Sequence, residues 1–392
     1  MTTSATPLTN FNVPATIICS GGASRELPSQ LERLGVQRVL LVTDEFMVKS
    51  GLVSRLETEL RNAALECATF AGVQPDPSEK NVIDGLARYQ ESGAQGIVAL
   101  GGGSPIDCAK AISLLTANPP PLSRYMGRHK VPHAGAPVIA IPTTAGTGSE
   151  VTKVAVITDT ANDVKMMMLD AHLLPAVALV DYELTLTMPQ GLTAAVGVDT
   201  LTHGIEAYVS RLANPLTDPI ALACISQVAR HLETAWSEPD NRAAREGMMI
   251  AATQGGMAFA NSSVCLIHGM SRPLGALFHV PHGISNAMLL PTITRFSLRG
   301  AMRRYATIGR TMGWAKPDDG DDEAAHALVT GLEGLNTRLR IPRLRDDPRI
   351  ESAKFNRLLE KMASDALASG SPQNNPVVPT SDEIVELYRT AW

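Results

Sequence analysis

The sequence predicts two architectures in one chain: α/β with a parallel sheet over residues 1–188, and all-α over residues 189–392. From Pro14 to about Val180, short β-branched runs alternate with longer amphipathic ones, the pattern of strands joined by crossover helices. After Met188-Pro189 the strand signals stop, and apolar residues recur at helical spacing. The 392 residues are 44% hydrophobic and 19% charged, enough apolar matter for two cores at ~100–200 residues per domain.

The predicted strands are 15–19, 38–43, 66–70, 96–100, 138–141 and 178–180, each a run rich in Val, Ile or Leu, or with apolar residues alternating. Between them, 27–34, 52–64, 79–91 and 105–115 carry the helical period. Residues 154–157 and 164–168 read as a hairpin around a turn at 158–163, extending an edge of the sheet. In the second half, 192–209, 219–236 and 241–260 read as helices, whereas 316–323 and 369–380 read as solvated loops. The Met166-Met167-Met168 run reads as strand packing.

Charge and cysteines narrow the function. A formal net charge of -5 offers no basic field to a phosphate backbone, so nucleic-acid binding is disfavoured and a small-molecule partner expected. The five scattered cysteines contain no C-x-x-C pair, which argues against a disulfide framework or a cysteine zinc site and for a reducing cytoplasm. No apolar run approaches the ~20 residues of a membrane span, and Met1 to Thr9 lacks the parts of a signal peptide.

Chemistry first shows at Gly96-Ile-Val-Ala-Leu-Gly101-Gly102-Gly103-Ser104-Pro105-Ile106-Asp107, a buried strand, a glycine turn and a helix start. Glycines without Cβ let an anion approach the free N–H groups at a helix N-terminus, and Ser104, Pro105 and Asp107 suit the cap, first and third helical positions. Neither G-x-G-x-x-G nor a P-loop occurs. The loop from Pro142 to Glu150 offers hydroxyls beside two glycines, suited to phosphate, ribose or a carboxamide. Asp44, ending a strand, would face ribose hydroxyls and repel a 2′-phosphate, favouring NAD over NADP; it would equally cap the next turn.

A second chemistry lies downstream. Asp199 and His203 are four apart on a predicted helix and project from one face. His268, in an apolar helix, and His282, in a Pro-His-Gly turn, need partners for their ring nitrogens, and a metal shared with Asp199 and His203 supplies one. One carboxylate and three imidazoles suit Fe(II) or Zn(II), and the ligand set alone does not choose.

Taken in order, Gly101-Gly-Gly-Ser-Pro-Ile-Asp107-Cys-Ala-Lys110, Pro142-Thr-Thr-Ala-Gly-Thr-Gly-Ser-Glu150, Gly197-Val-Asp199-Thr-Leu-Thr-His203-Gly-Ile-Glu206 and Pro281-His282-Gly283 resemble the iron-containing, group III alcohol dehydrogenase family. The resemblance spans almost the whole chain, including Asn375-Pro376 near its end. It implies a Rossmann-like N-terminal domain, a helical C-terminal domain, a site in the cleft between them, and a homodimer. It also implies that Asp199, His203, His268 and His282 bind the metal, and that Asp44, Gly102, Gly103, Ser104, Asp107, Thr143, Thr144, Thr147 and Lys165 line the dinucleotide site. The activity implied is hydride transfer between a nicotinamide and a small alcohol or aldehyde, with the metal polarising the substrate oxygen.

One departure stands out. Many relatives have a histidine four residues after the first of the later metal-ligand histidines, where this chain has Arg272. An arginine cannot shuttle protons near neutral pH but can bind a carboxylate, so a hydroxy acid or another anionic alcohol or aldehyde is expected, unless Arg272 pairs with an internal acid or a cofactor phosphate. His279 is the remaining candidate for a proton route. The alternatives are a transhydrogenase resembling hydroxyacid-oxoacid transhydrogenases, in which NAD stays bound, and a dehydroquinate synthase-like lyase, whose ligand pattern differs.

Overall fold

The computed structural model describes residues 10–161 and 164–392. Its first half runs β1 (Thr16–Cys19), α1 (Leu27–Arg33), β2 (Arg38–Val42), α2 (Glu45–Lys49), α3 (Leu52–Asn62), β3 (Glu66–Phe70), α4 (Glu79–Ser92), β4 (Gly96–Gly101), α5 (Gly103–Ala117), β5 (Gly127–Arg128), β6 (Val138–Pro142), β7 (Val154–Asp159), β8 (Val164–Leu169) and β9 (Val177–Val180). Then come α6 (Gln190–Val209), α7 (Thr217–Ser237), α8 (Arg242–Ala260), α9 (Leu266–Phe278), α10 (His282–Thr311), α11 (Asp321–Arg338), α12 (Ser352–Ala368) and α13 (Ser381–Ala391). Among the described residues, no helix is long and apolar enough to cross a membrane.

Six strands form a parallel sheet in the order β1-β9-β6-β4-β2-β3. Alternate residues of each strand face opposite layers. Leu40, Val42, Ile97, Ala99, Val138 and Ala140 pack with Ile106, Ala109 and Ile112 of α5. Val39, Leu41, Val98, Leu100, Ile139 and Ile141 pack with Leu27 and Leu31 of α1 and Leu56 and Leu60 of α3. Both faces are covered, which is why these strands read as continuous apolar runs rather than alternating ones. The chain reverses direction across the sheet between β2 and β4, and in open α/β sheets ligands settle beyond the carboxyl ends of the strands at such a point.

Several expectations need correcting. The hairpin does not extend the large sheet: β7 and β8 pair antiparallel and, with β5, make a separate three-stranded sheet. Ala155, Ile157, Met166 and Met168 bury against the α5 layer, and face-on packing covers more apolar surface than an edge position would. Part of the expected turn, residues 162 and 163, lies outside the described residues, as does the Met1 to Thr9 start. Asp321 to Glu323 are no loop but the acidic first turn of α11, which suits the positive end of its dipole. Residues 369–380 are not uniformly solvated, since Ser371 and Asn375 are buried.

The helical half centres on α6, which is buried on almost every face from Thr193 to Val209. A helix buried all round is expected to be apolar throughout. The charged and imidazole groups on α6, Asp199, His203 and Glu206, are therefore costly to bury unless partnered, which singles them out.

Candidate active site

Three loops meet at the carboxyl ends of β2, β4 and β6. Gly101 closes β4 with φ +146, a conformation that L side chains rarely adopt, and a Cβ there would strike the ring of Pro105 at 2.6 Å. Gly102 rather than Ser104 is the residue flanking α5, and Gly103 is its first residue, so Ser104, Pro105 and Asp107 sit two places further in than expected. No side chain caps this helix, which leaves its first N–H groups for an anion. A Cβ on Gly102 would lie 3.3 Å from Thr144 Oγ1, and one on Gly103 3.0 Å from Thr147 Cγ2. The hydroxyl loop therefore stands directly over the glycine turn.

Asp107 does not cap the helix. Its carboxylate accepts from Ser149 Oγ at 2.6 Å and the Val156 N–H at 3.0 Å, tying α5 to the loop and to β7, and burial raises its pKa. Thr143 is buried and donates its N–H to the Gly101 carbonyl at 3.0 Å. Asp44 follows β2 and caps α2 by accepting the Met47 N–H at 3.0 Å. Lys165 pairs with Asp76 at 2.5 Å. Gly103, Ser104, Asp107, Thr147 and Lys165 line a cavity of about 670 Å³, whereas Asp44, Gly102, Thr143 and Thr144 stand outside its lining.

The same cavity reaches Asp199, His203, His268 and His282. Asp199 and His203 lie one turn apart on α6, His268 is in the first turn of α9, and His282 is the first residue of α10 rather than part of a turn. The nearest ligand atoms of Asp199, His268 and His282 all lie within 4.8 Å of one another. Asp199 Oδ1 is 3.6 Å from His268 Nε2 and 3.9 Å from the Nε2 of both His203 and His282. Metal–ligand bonds of about 2.0–2.3 Å give tetrahedral edges of about 3.3–3.8 Å; the 3.6 Å separation falls within that range and the two of 3.9 Å just beyond it, and Asp199, His268 and His282 form the mutually close group that could hold a divalent ion. Burial holds the pKa of His203 well below its usual value, keeping the ring neutral as ligation requires.

Two residues that the sequence reading left without a role complete this cluster. Glu206 is buried, and its carboxylate accepts His268 Nδ1 at 2.6 Å, the Cys265 N–H at 2.8 Å and the Ile267 N–H at 2.7 Å. It thereby sets the start of α9 and fixes the tautomer of His268, turning the bare Nε2 toward the cluster. Spacing alone could have flagged it, because positions 199, 203 and 206 share one helical face. Asn286, one turn into α10 after His282, donates Nδ2 to Asp199 Oδ1 at 2.7 Å and lies 3.2 Å from both His268 Nε2 and His282 Nε2, while its own Oδ1 is buried without a partner. Its two amide hydrogens face three acceptors, an excess that an ion taking the imidazole lone pairs removes.

Arg272 sits one turn beyond His268 and lines the cavity. Its Nη1 donates to the Ser369 carbonyl at 3.4 Å, and its Nη2 lies 3.8 Å from Met167 Sδ. Among the described residues it has no carboxylate partner within ion-pair distance, and the buried Glu206 carboxylate is the acid whose charge acts on it. His279 is not brought to the cavity. It closes α9 with φ 56, its N–H donates to the Gly275 carbonyl at 3.0 Å, and its side chain is exposed. The supposed loop after α12 instead contributes Ser369, Gly370, Ser371 and Asn374 to the wall, which no local signal announced.

Comparison with known proteins places the chain among relatives along its whole length. The family model for iron-containing alcohol dehydrogenases matches residues 14–182, and that for the C-terminal part of the Fe-containing alcohol dehydrogenase family matches residues 193–392. The NAD-dependent methanol dehydrogenase of Bacillus methanolicus is 35% identical over 98% of this chain and 100% of its own. The crystal structure of a 1,3-propanediol oxidoreductase superposes with a TM-score of 0.95 at 36% identity, over 98% of this chain and 100% of that one. That of sulfoacetaldehyde reductase from Bifidobacterium kashiwanohense with NAD+ superposes at 0.86 and 28% identity, over 98% and 99%.

Proposed function

The chain belongs to the iron-containing alcohol dehydrogenase family, and from that premise we propose that the cavity of about 670 Å³ seats NAD at the α5 end and an anionic alcohol or aldehyde at the Arg272 end. It is an oxidoreductase acting on CH–OH groups, interconverting small alcohols and aldehydes with a nicotinamide. The observation that carries the finer reading is that a single cavity is lined both by the bare N-terminus of α5 and by the Asp199, His203, His268 and His282 cluster. We divide the chain at Pro189, with dinucleotide-holding residues before it and metal-holding residues after it.

In this reading Gly102, Gly103 and Ser104 receive the pyrophosphate, Thr143, Thr144, Thr147 and Lys165 border the cofactor, and Asp44 favours NAD over NADP. Asp199, His203, His268 and His282 hold the ion, with Fe(II) proposed over Zn(II). When bound, the ion supplies Lewis acidity at the substrate oxygen and the nicotinamide supplies the hydride site. The chain's own part is orientation: Glu206 holds His268 in its ligating tautomer, and Asn286 holds the Asp199 carboxylate. Phe259 stacks on His203 at 4.4 Å between ring centroids, covering one face of that imidazole.

Arg272 places in the cavity wall a guanidinium with no carboxylate at ion-pair distance among the described residues, which supports an anionic substrate, as sulfoacetaldehyde is for the Bifidobacterium relative. The test combines metal analysis of purified protein with NADH absorbance using short neutral aldehydes, diols, hydroxy acids and sulfonated aldehydes, each with and without added NAD. Metal-dependent turnover that needs added NAD and favours the anions is expected. Full activity in chelator, or substrate-to-substrate turnover without free NAD, overturns the reading.

A further inference from the structure

We propose that Lys110 is a positioning residue for the cofactor site, whose buried charge pins the hydroxyl loop and the start of β7 onto α5. This rests on the assignment of the cleft to a dinucleotide. Lys110 is 0% exposed, two turns into the helix whose N-terminus forms the anion seat. Its Nζ donates to the Ser149 carbonyl at 2.7 Å, the Val154 carbonyl at 2.9 Å, Ser149 Oγ at 3.0 Å and Thr152 Oγ1 at 3.1 Å. An ammonium has three hydrogens and no lone pair, so four oxygens around it make a socket for the charged form. A neutral amine has two hydrogens and so serves at most two of these four oxygens, and the attraction of a full positive charge for them is lost.

The segment it holds has two faces. Toward the cavity it presents Thr147, Ser149, Thr152 and Val154. On its other side it is wedged against the metal-bearing half: the Ala145 and Gly146 carbonyls accept from Thr200 Oγ1 at 3.2 and 3.3 Å, Glu150 Oε1 accepts from Thr253 Oγ1 at 2.8 Å, and a Cβ on Gly148 would lie 2.5 Å from Gly256. Among the described residues, the side-chain contacts that tie this segment to α5 run through Lys110 and its neighbour Asp107, whose Oδ1 is 3.9 Å from Nζ, while the β7–β8 ladder holds the far end of the segment. Releasing that side moves Thr147 and Ser149 away from Gly103 while leaving Asp199, His268 and His282, on α6, α9 and α10, in place.

The charged groups facing Lys110 are Asp107 on its own helix and Glu150 on the loop; both have pKa values raised by burial, while burial pushes Lys110 down to about 8. Its charge is therefore present at neutral pH and is lost on going through about pH 8 and above. The experiment is NADH binding followed by fluorescence on metal-loaded protein, with metal content measured in parallel. Lys110→Met is expected to weaken NADH binding at least tenfold with metal content per chain retained. In the wild type NADH affinity is expected to fall several-fold between pH 7 and pH 9.5, and in the variant to stay flat.

NADH binding within twofold of wild type in Lys110→Met, or its loss together with the metal, overturns the proposal. So does a wild-type affinity that is flat through pH 9.5, which decides the matter even where the variant fails to fold. A wild type that binds no NADH at any pH overturns the dinucleotide assignment itself, and is thereby distinguished from a failure of Lys110 alone.

Discussion

Replacing Glu206 by glutamine probes how far the metal cluster depends on a group that is not itself a ligand. The carboxylate receives three N–H groups, two on Oε2, from Cys265 and His268, and one on Oε1, from Ile267. Hydrogen bonds to a charged group contribute about 1.5–3 kcal/mol each, so removing all three with alanine would cost about 4.5–9 kcal/mol, comparable to a whole fold's ~5–15 kcal/mol. Glutamine is the usable perturbation, because it keeps the volume and one acceptor. With the amide oxygen on the Cys265 and His268 side, the NH2 faces the Ile267 N–H and one bond is lost, about 1.5–3 kcal/mol of stability. With the amide turned over, His268 Nδ1 must accept and Nε2 must carry the proton, which is incompatible with ligation. In either orientation the negative charge behind the imidazole is gone, and loss of such a partner lowers metal affinity by about 10–100-fold. Chelator competition with metal quantified by atomic emission reads this directly, with denaturant unfolding of the metal-free protein reporting the stability term. A metal affinity within twofold of wild type would show that Glu206 serves α9 alone and refute the argument.

Three further outcomes follow from the geometry. Arg272→Ala should lower kcat/KM for hydroxy acids or sulfonated aldehydes by about 10–100-fold, the equivalent of one or more charge-assisted hydrogen bonds, with neutral alcohols changed less than threefold; equal values for anions and neutrals in wild type and variant would sink the anion reading. Asp44→Ser retains a side-chain cap for α2 while removing the charge, so the NADP-to-NAD ratio of kcat/KM should rise about tenfold with little change in stability; an unchanged ratio removes Asp44 from cofactor choice. His279→Asn suits the left-handed backbone there, and the pH profile of kcat should be unaltered because the side chain is outside the cavity; loss of a limb of that profile would restore it as a proton carrier.

Much of the architecture was legible because it depends on local periodicity. The apolar runs of β2, β4 and β6 lie between covered layers, and the helical spacing after Pro189 gives helices from α6 onward. The pairing of Asp199 with His203 was legible for the same reason: a carboxylate and an imidazole four apart on a helix must share a face, whatever the helix packs against. The short helix α2 escaped notice, since five residues carry less than two turns of pattern. Where the cap of α5 falls was also misjudged, because the backbone conformation of Gly101 to Gly103 shifts the helix start by two residues.

By itself, then, the sequence determined most of the element types, the glycine turn that cannot tolerate a Cβ, and the carboxylate and imidazole residues proposed as metal ligands. Only the tertiary structure decided which groups meet. It brought Asp199 within 3.6–3.9 Å of imidazoles from three helices, set Glu206 behind one of them, put Arg272 in the cavity wall, sent His279 to the surface and folded Ser369 to Asn374 into the wall. The physical reason is range. Propensity and periodicity act over a few residues, whereas a hydrogen bond such as that from Cys265 to Glu206 joins positions 59 residues apart and exists only once two helices have packed.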